Sequence, residues 1–177
     1  MKKFLFTLVL CFTFVCFLGE TIVYAIEFSS KAETLYKEKK SVVEVFNNKN
    51  QPIKITVYDI KLMAQIVYAE SRSEPYAGKV AVASVIINRL LDPHFPKTVE
   101  GVIKQKGAFS CVVNGRIKVH PTKECYLAVY SALEGKDPTK NAVFYYNPKI
   151  ATSKWMLKVK KADMKSIGNH VFFVVKK

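Results

Sequence analysis

Leu62-Met63-Ala64-Gln65-Ile66-Val67-Tyr68-Ala69-Glu70-Ser71-Arg72-Ser73-Glu74-Pro75-Tyr76 is the stretch whose periodicity decides how the chain is read. At about 100° per residue, Ile60, Met63, Ile66, Val67 and Glu70 fall within one arc of a helix. Lys61, Gln65 and Tyr68 lie on the other side. Glu70 therefore enters the apolar stripe at the end of the helix, just before a polar break. Burial and the carbonyl end of the helix dipole both disfavour a carboxylate's charge. Such a place is expected to favour the protonated form, which is what a general acid working near neutral pH requires. The plainer alternative is a frayed helix end from which Glu70 turns into water.

Working outward, Thr56 with Asp59 forms a capping box that starts this helix, which runs to Ala69 or Glu70. Pro75 suits the first turn of a second helix over 76–90, whose centre Val80-Ala81-Val82-Ala83-Ser84-Val85-Ile86-Ile87 is apolar nearly all round and reads as buried. Asn88 and Arg89 close it, residues 92–96 form a loop, and Thr98 caps a short helix through Lys104. Asn114-Gly115 between the apolar runs 108–113 and 116–119 signals a β-hairpin. Tyr126, Val129, Tyr130 and Leu133 then recur at helical spacing, with Gly135 as a stop. Strands are expected at 143–146 and 170–175, the latter announced by Gly168. Upstream, 42–46 and 53–57 flank the turn-forming 47–50, a hairpin expected to pack on the main domain. The fold class is α+β, a mostly helical core with short β-hairpins.

The N-terminus has Lys2 and Lys3 before the apolar run 4–18, and Val23-Tyr24-Ala25 supplies the small residues of a cleavage site. This is the layout of a secretory signal peptide over 1–25, directing the protein across the cytoplasmic membrane. Residues 26–57 then form a linker with the hairpin, and 58–177 the single catalytic domain. The chain carries 28 basic and 14 acidic residues, net +14. In an exported protein such a balance points to a polyanionic surface such as a cell wall and away from nucleic acid. Cys11 and Cys16 lie in the leader, leaving Cys111 and Cys125 either as a disulfide or as two reduced thiols.

Residues 69–89, Ala69-Glu70-Ser71-Arg72-Ser73-Glu74-Pro75-Tyr76-Ala77-Gly78-Lys79 and onward to Asn88-Arg89, resemble the opening of the SleB/CwlJ-type cell wall hydrolase domain, which includes spore-cortex-lytic enzymes. Further blocks follow in the family's order: Phe95-Pro96, 98–103, Gly107-Ala108-Phe109-Ser110, 132–139, Tyr145-Tyr146-Asn147-Pro148, Ser153-Lys154-Trp155 and 167–172. The resemblance covers about residues 58 to 173. It implies a lysozyme-like fold and cleavage of the peptidoglycan glycan strand between N-acetylmuramic acid and N-acetylglucosamine, in spore cortex lysis during germination. It also places Glu70 at the family's catalytic glutamate. Two departures stand out: Ser73 replaces a usual glycine, and the segment 26–57 looks too short to be the N-terminal peptidoglycan-binding domain carried by the SleB branch.

Glycosidases usually need two carboxylates. Glu74 is the nearest second one, but the break before Pro75 removes helical spacing. A lytic transglycosylase needs only Glu70, because the muramic acid's own C6 hydroxyl attacks C1; no metal or cofactor takes part. Candidate substrate-binding residues are Glu74, Phe109, Ser110, Tyr145, Tyr146, Asn147, Trp155 and His170. Tyr145, Tyr146 and Trp155 could stack on sugars or lie in the core; Ser110 and Asn147 could bond N-acetyl groups or shape turns. The expected partner is peptidoglycan, of cortex or vegetative wall, with an accessory germination protein as a further candidate and the protein itself a monomer. Two competitors are a zinc amidase, for which His94, His120 and His170 form no close pair, and a wall-binding module without catalysis.

Overall fold

A computed structural model describes residues 42–46 and 52–176. The expected leader, Cys11 and Cys16, the linker up to residue 41 and the hairpin turn at 47–51 lie outside the described residues. The elements are β1 (Val42–Phe46), β2 (Pro52–Thr56), α1 (Val57–Ser71), α2 (Tyr76–Leu91), α3 (Val99–Lys104), α4 (Lys123–Leu133), β3 (Phe144–Tyr146), α5 (Lys154–Lys158), β4 (Lys161–Ile167) and β5 (His170–Val175). The α+β reading holds.

The helical core forms where the periodicity put it. The Thr56 hydroxyl accepts from the Asp59 amide at 3.2 Å, and the Asp59 carboxylate accepts from the Thr56 amide at 2.9 Å. That reciprocal pair fixes the start of α1. Ile60, Met63, Ile66 and Val67 are all buried, so the stripe faces the core. Against it lies α2, whose continuous run from Gly78 to Ile87 is buried on every side. Alanines 81 and 83 let neighbouring backbones come close, and α4 adds Cys125, Ala128, Val129 and Leu133. The β1–β2 hairpin pairs in antiparallel register with Val43 opposite Ile55, and buried Ile55 joins this core. Strand β2 is thus packed on the main domain through Ile55, with Ile53 partly buried beside it.

A three-stranded antiparallel sheet of order β3–β5–β4 joins the helical core through Phe172, with Tyr145 and Ile167 packed against it. Tyr145 lies opposite Phe172, and Ile167 opposite His170. Phe172 and Phe173 are fully buried.

Two expectations need correction. Asn114 and Gly115 do adopt positive φ (51° and 70°), as a tight hairpin turn requires, but only an isolated Val113–Arg116 bridge forms. The flanks are held elsewhere: the Gln65 amide donates to the Ile117 and Val119 carbonyls, while Phe109, Cys111 and Val112 pack on the core. Conversely, α5 and β4 were not expected. The β4 sequence Lys-Ala-Asp-Met-Lys-Ser-Ile lacks clean alternation because its register breaks between Ala162 and Lys165, where Asp163 takes φ 49°. Its lysines suit an edge strand.

Candidate active site

The last turn of α1 carries Glu70 to the wall of a cleft of about 1220 Å³. Glu70 is half-buried at the stripe's end, and two chain segments meet its carboxylate there. The Ser110 hydroxyl donates to Oε1 at 3.3 Å, and the Tyr145 hydroxyl donates to Oε2 at 3.1 Å. Burial, then the Glu70 charge, pushes the Tyr145 hydroxyl well above its usual range, so it remains a donor. The Cys111 thiol is pushed up to about 12, first by burial and then by the charge of Glu70. It stays protonated and unreactive at neutral pH. Cys111 and Cys125 are free thiols, which removes the disulfide alternative.

Of the other sequence-selected residues, Phe109, Ser110, Tyr145, Tyr146, Asn147, Trp155 and His170 all line this cleft. Phe109 is buried, forming the floor. Trp155 at the start of α5 is half exposed and meets Phe144 edge-on at 5.2 Å. Tyr146 has the Lys161 ammonium 5.2 Å above its ring. Asn147 spends its side-chain oxygen on the Lys149 amide at 3.0 Å, a turn contact, while still facing the cleft. His170 stands edge-on to Tyr145 at 5.2 Å.

Glu74 is the exception: it is buried and absent from the cleft lining. Its carboxylate turns to the β4–β5 turn, accepting from the Asn169 amide at 2.9 Å and the Asn169 side chain at 3.1 Å. His170 Nδ1 lies 3.9 Å away. Burial alone would raise its pKa, but Asn169's two hydrogen bonds, His170 and Lys79 together lower it. Helical spacing could not show this, because the chain leaves the helix at Arg72 and turns before Pro75. The buried Lys79 ammonium fastens the turn by donating to the Glu74 carbonyl at 2.6 Å. Ser73 takes no positive φ, so the turn is made without the glycine usual there.

Gly168 closes the same contact from the other side. It has φ 58°, and a Cβ there would stand 1.9 Å from Glu74 Oε2. Gly168→Ala therefore combines a left-handed backbone penalty with a clash, and is expected to cost about 2–4 kcal/mol. Thermal unfolding checks it; an unchanged midpoint would mean that the turn is not locked to Glu74.

The sequence reading missed Arg89 and Asp92, both on the cleft lining. Arg89 looked like a helix-closing base. Asp92 accepts from the His94 amide and ring, each at 2.8 Å, and is the only other carboxylate among the described residues lining the cleft. Among the described residues, no group of three or more His, Cys, Asp or Glu could hold a metal ion.

Comparison with known proteins gives this site a setting. The Cell Wall Hydrolase family profile matches residues 73–173. The spore cortex-lytic enzyme of Bacillus cereus is 48% identical over 123 residues, which cover 70% of this chain and 47% of that protein. The enzyme of the same description from Bacillus subtilis is 45% identical over 123 residues, 70% of this chain and 40% of the relative. The chain thus spans less than half the length of these curated relatives. The crystal structure of the catalytic domain of the Bacillus cereus SleB protein superposes with TM-score 0.59 at 49% identity, covering 66% of this chain and 89% of that one. The catalytic domain of the germination-specific lytic transglycosylase SleB from Bacillus anthracis gives TM-score 0.60 at 48% identity, over 66% and 93%. With its profile match running from the turn after α1 to the middle of β5, this chain belongs to the cell wall hydrolase family.

Proposed function

We propose that the protein cleaves the glycan strand of peptidoglycan between N-acetylmuramic acid and N-acetylglucosamine as a lytic transglycosylase, acting outside the cytoplasmic membrane on spore cortex. Residues 58–177 form the catalytic unit. The observation that carries this reading is that Glu70 in the cleft wall is held between two hydroxyl donors, while Glu74, its nearest acidic neighbour in sequence, is turned away into Asn169. The relatives named above as spore cortex-lytic enzymes support the cortex as substrate.

In the reaction, protonated Glu70 gives its proton to the glycosidic oxygen as the bond to C1 breaks. Its other oxygen continues to accept a hydrogen bond from Tyr145 or Ser110, which holds the carboxyl group in place and stabilises the carboxylate it becomes. The muramic acid C6 hydroxyl then attacks C1 and returns a proton to Glu70. The acid is regenerated, and the product carries a 1,6-anhydro end. Tyr146 and Trp155 offer ring faces along the cleft for sugar stacking, and the excess of lysines retains the protein on an anionic wall.

Direct hydrolysis is the second reading, favoured by one observation, the Asp92 carboxylate on the cleft lining. It would need Asp92 to activate water. Asp92→Asn is expected to keep cleavage within about threefold of wild type, well short of the 10²- to 10⁴-fold loss of a missing base. Release of soluble fragments from purified peptidoglycan measures this. A collapse in rate, with reducing ends in the wild-type products, would replace transglycosylation by hydrolysis.

A further inference from the structure

Arg89 stands in the last turn of the apolar helix α2 and is only 5% exposed. Taking a guanidinium out of water is costly, and an apolar residue would fill the same space more cheaply. Its surroundings are specific. Nε donates to the Val143 carbonyl at 2.7 Å. The guanidinium carbon lies 5.1 Å from the ring centre of Phe109, 5.7 Å from that of Phe144 and 5.5 Å from that of Phe95. Nη1 is buried and has no hydrogen-bond partner.

The sequence neighbours of these contacts give them meaning. Phe109 immediately precedes Ser110, and Val143-Phe144 immediately precede Tyr145. One side chain therefore touches both segments that deliver a hydroxyl to Glu70. We infer that Arg89 is a positioning residue, whose guanidinium, held against Phe109 and Phe144 and bonded to Val143, sets the Ser110 and Tyr145 hydroxyls on the Glu70 carboxylate. A flat guanidinium suits this because it stacks on ring faces while donating in its own plane; an ammonium does one or the other. Its charge also favours the carboxylate that Glu70 becomes after giving up its proton. The inference rests on the proposed role of Glu70.

The test measures kcat and KM on a soluble glycan oligomer for Arg89→Lys, alone and in a Ser110→Ala/Tyr145→Phe background. Alone, the substitution is expected to lower kcat roughly 10- to 100-fold, the scale of a misplaced reacting group, with KM nearly unchanged. In the background lacking both hydroxyls it is expected to cost less than about threefold, because what it positions is gone. Phe109→Leu keeps the charge, removes one ring face and is expected to follow the same pattern; it decides the matter should Arg89→Lys fail to fold. An undiminished kcat in folded Arg89→Lys, or a loss that persists in full in the double background, overturns the inference. Glu70→Gln separates the two levels. An inactive Glu70→Gln beside an unimpaired Arg89→Lys sinks only the positioning role, whereas an active Glu70→Gln sinks both.

Discussion

Glu70→Gln is expected to slow glycan cleavage by roughly 10²- to 10⁴-fold, the usual worth of a positioned general acid, with the melting temperature little changed. The fold should survive because Glu70 is only half-buried and glutamine keeps an oxygen for one of the two donors. Ser110 and Tyr145 each contact a different carboxylate oxygen, so the amide must lose one of them. The exposed edge of the cleft lets water replace it. What the amide cannot do is give a proton to the leaving oxygen or take one from the C6 hydroxyl. Rate measured against purified peptidoglycan, together with thermal unfolding, separates lost chemistry from lost structure. A variant that is folded and still active would remove Glu70 from the mechanism.

Glu74→Gln should do the reverse, harming stability first. The buried carboxylate accepts both the backbone and side-chain N–H of Asn169. An amide in its place turns an NH₂ group toward one of these donors, leaving buried polar hydrogens opposed. The expected cost is about 2–3 kcal/mol, or roughly 5–10 °C in melting temperature for a chain of this size. The pH dependence has a definite sign. Because the folded pKa lies below the ordinary value of 4.5, the stabilisation is complete above that value and is lost as pH falls through the folded pKa. Wild type and variant should therefore differ most near neutrality and converge in acid. Equal stabilities at pH 7 would mean that the Glu74–Asn169 tie contributes nothing.

These two glutamates mark how far the sequence could be read. Glu70 was legible because its position is set locally: a capping box fixes where α1 begins, the apolar stripe fixes which way it faces, and the residue falls at the end of both. The direction of Glu74 is set by Asn169, 95 residues away, at a β-turn whose first strand, β4, carries no clear period. Arg89 was hidden for the same reason. At the end of an apolar helix it looks like an ordinary partner for the carbonyl end of the dipole, and only the folded chain brings Phe95, Phe109 and Phe144 around it. The Asn114-Gly115 signal was right about the turn and wrong about the strands. Turn geometry is encoded in two residues, whereas pairing competes with every other partner the flanks can find, here Gln65 and the core.

The most direct test of the central claim is the mass of the fragments released from purified peptidoglycan by the wild-type protein, measured beside Glu70→Gln. Ends carrying 1,6-anhydro-muramic acid from the wild type, and none from the variant, are the expected result. Free stem peptides, or the same fragments at the same rate from the variant, would contradict it.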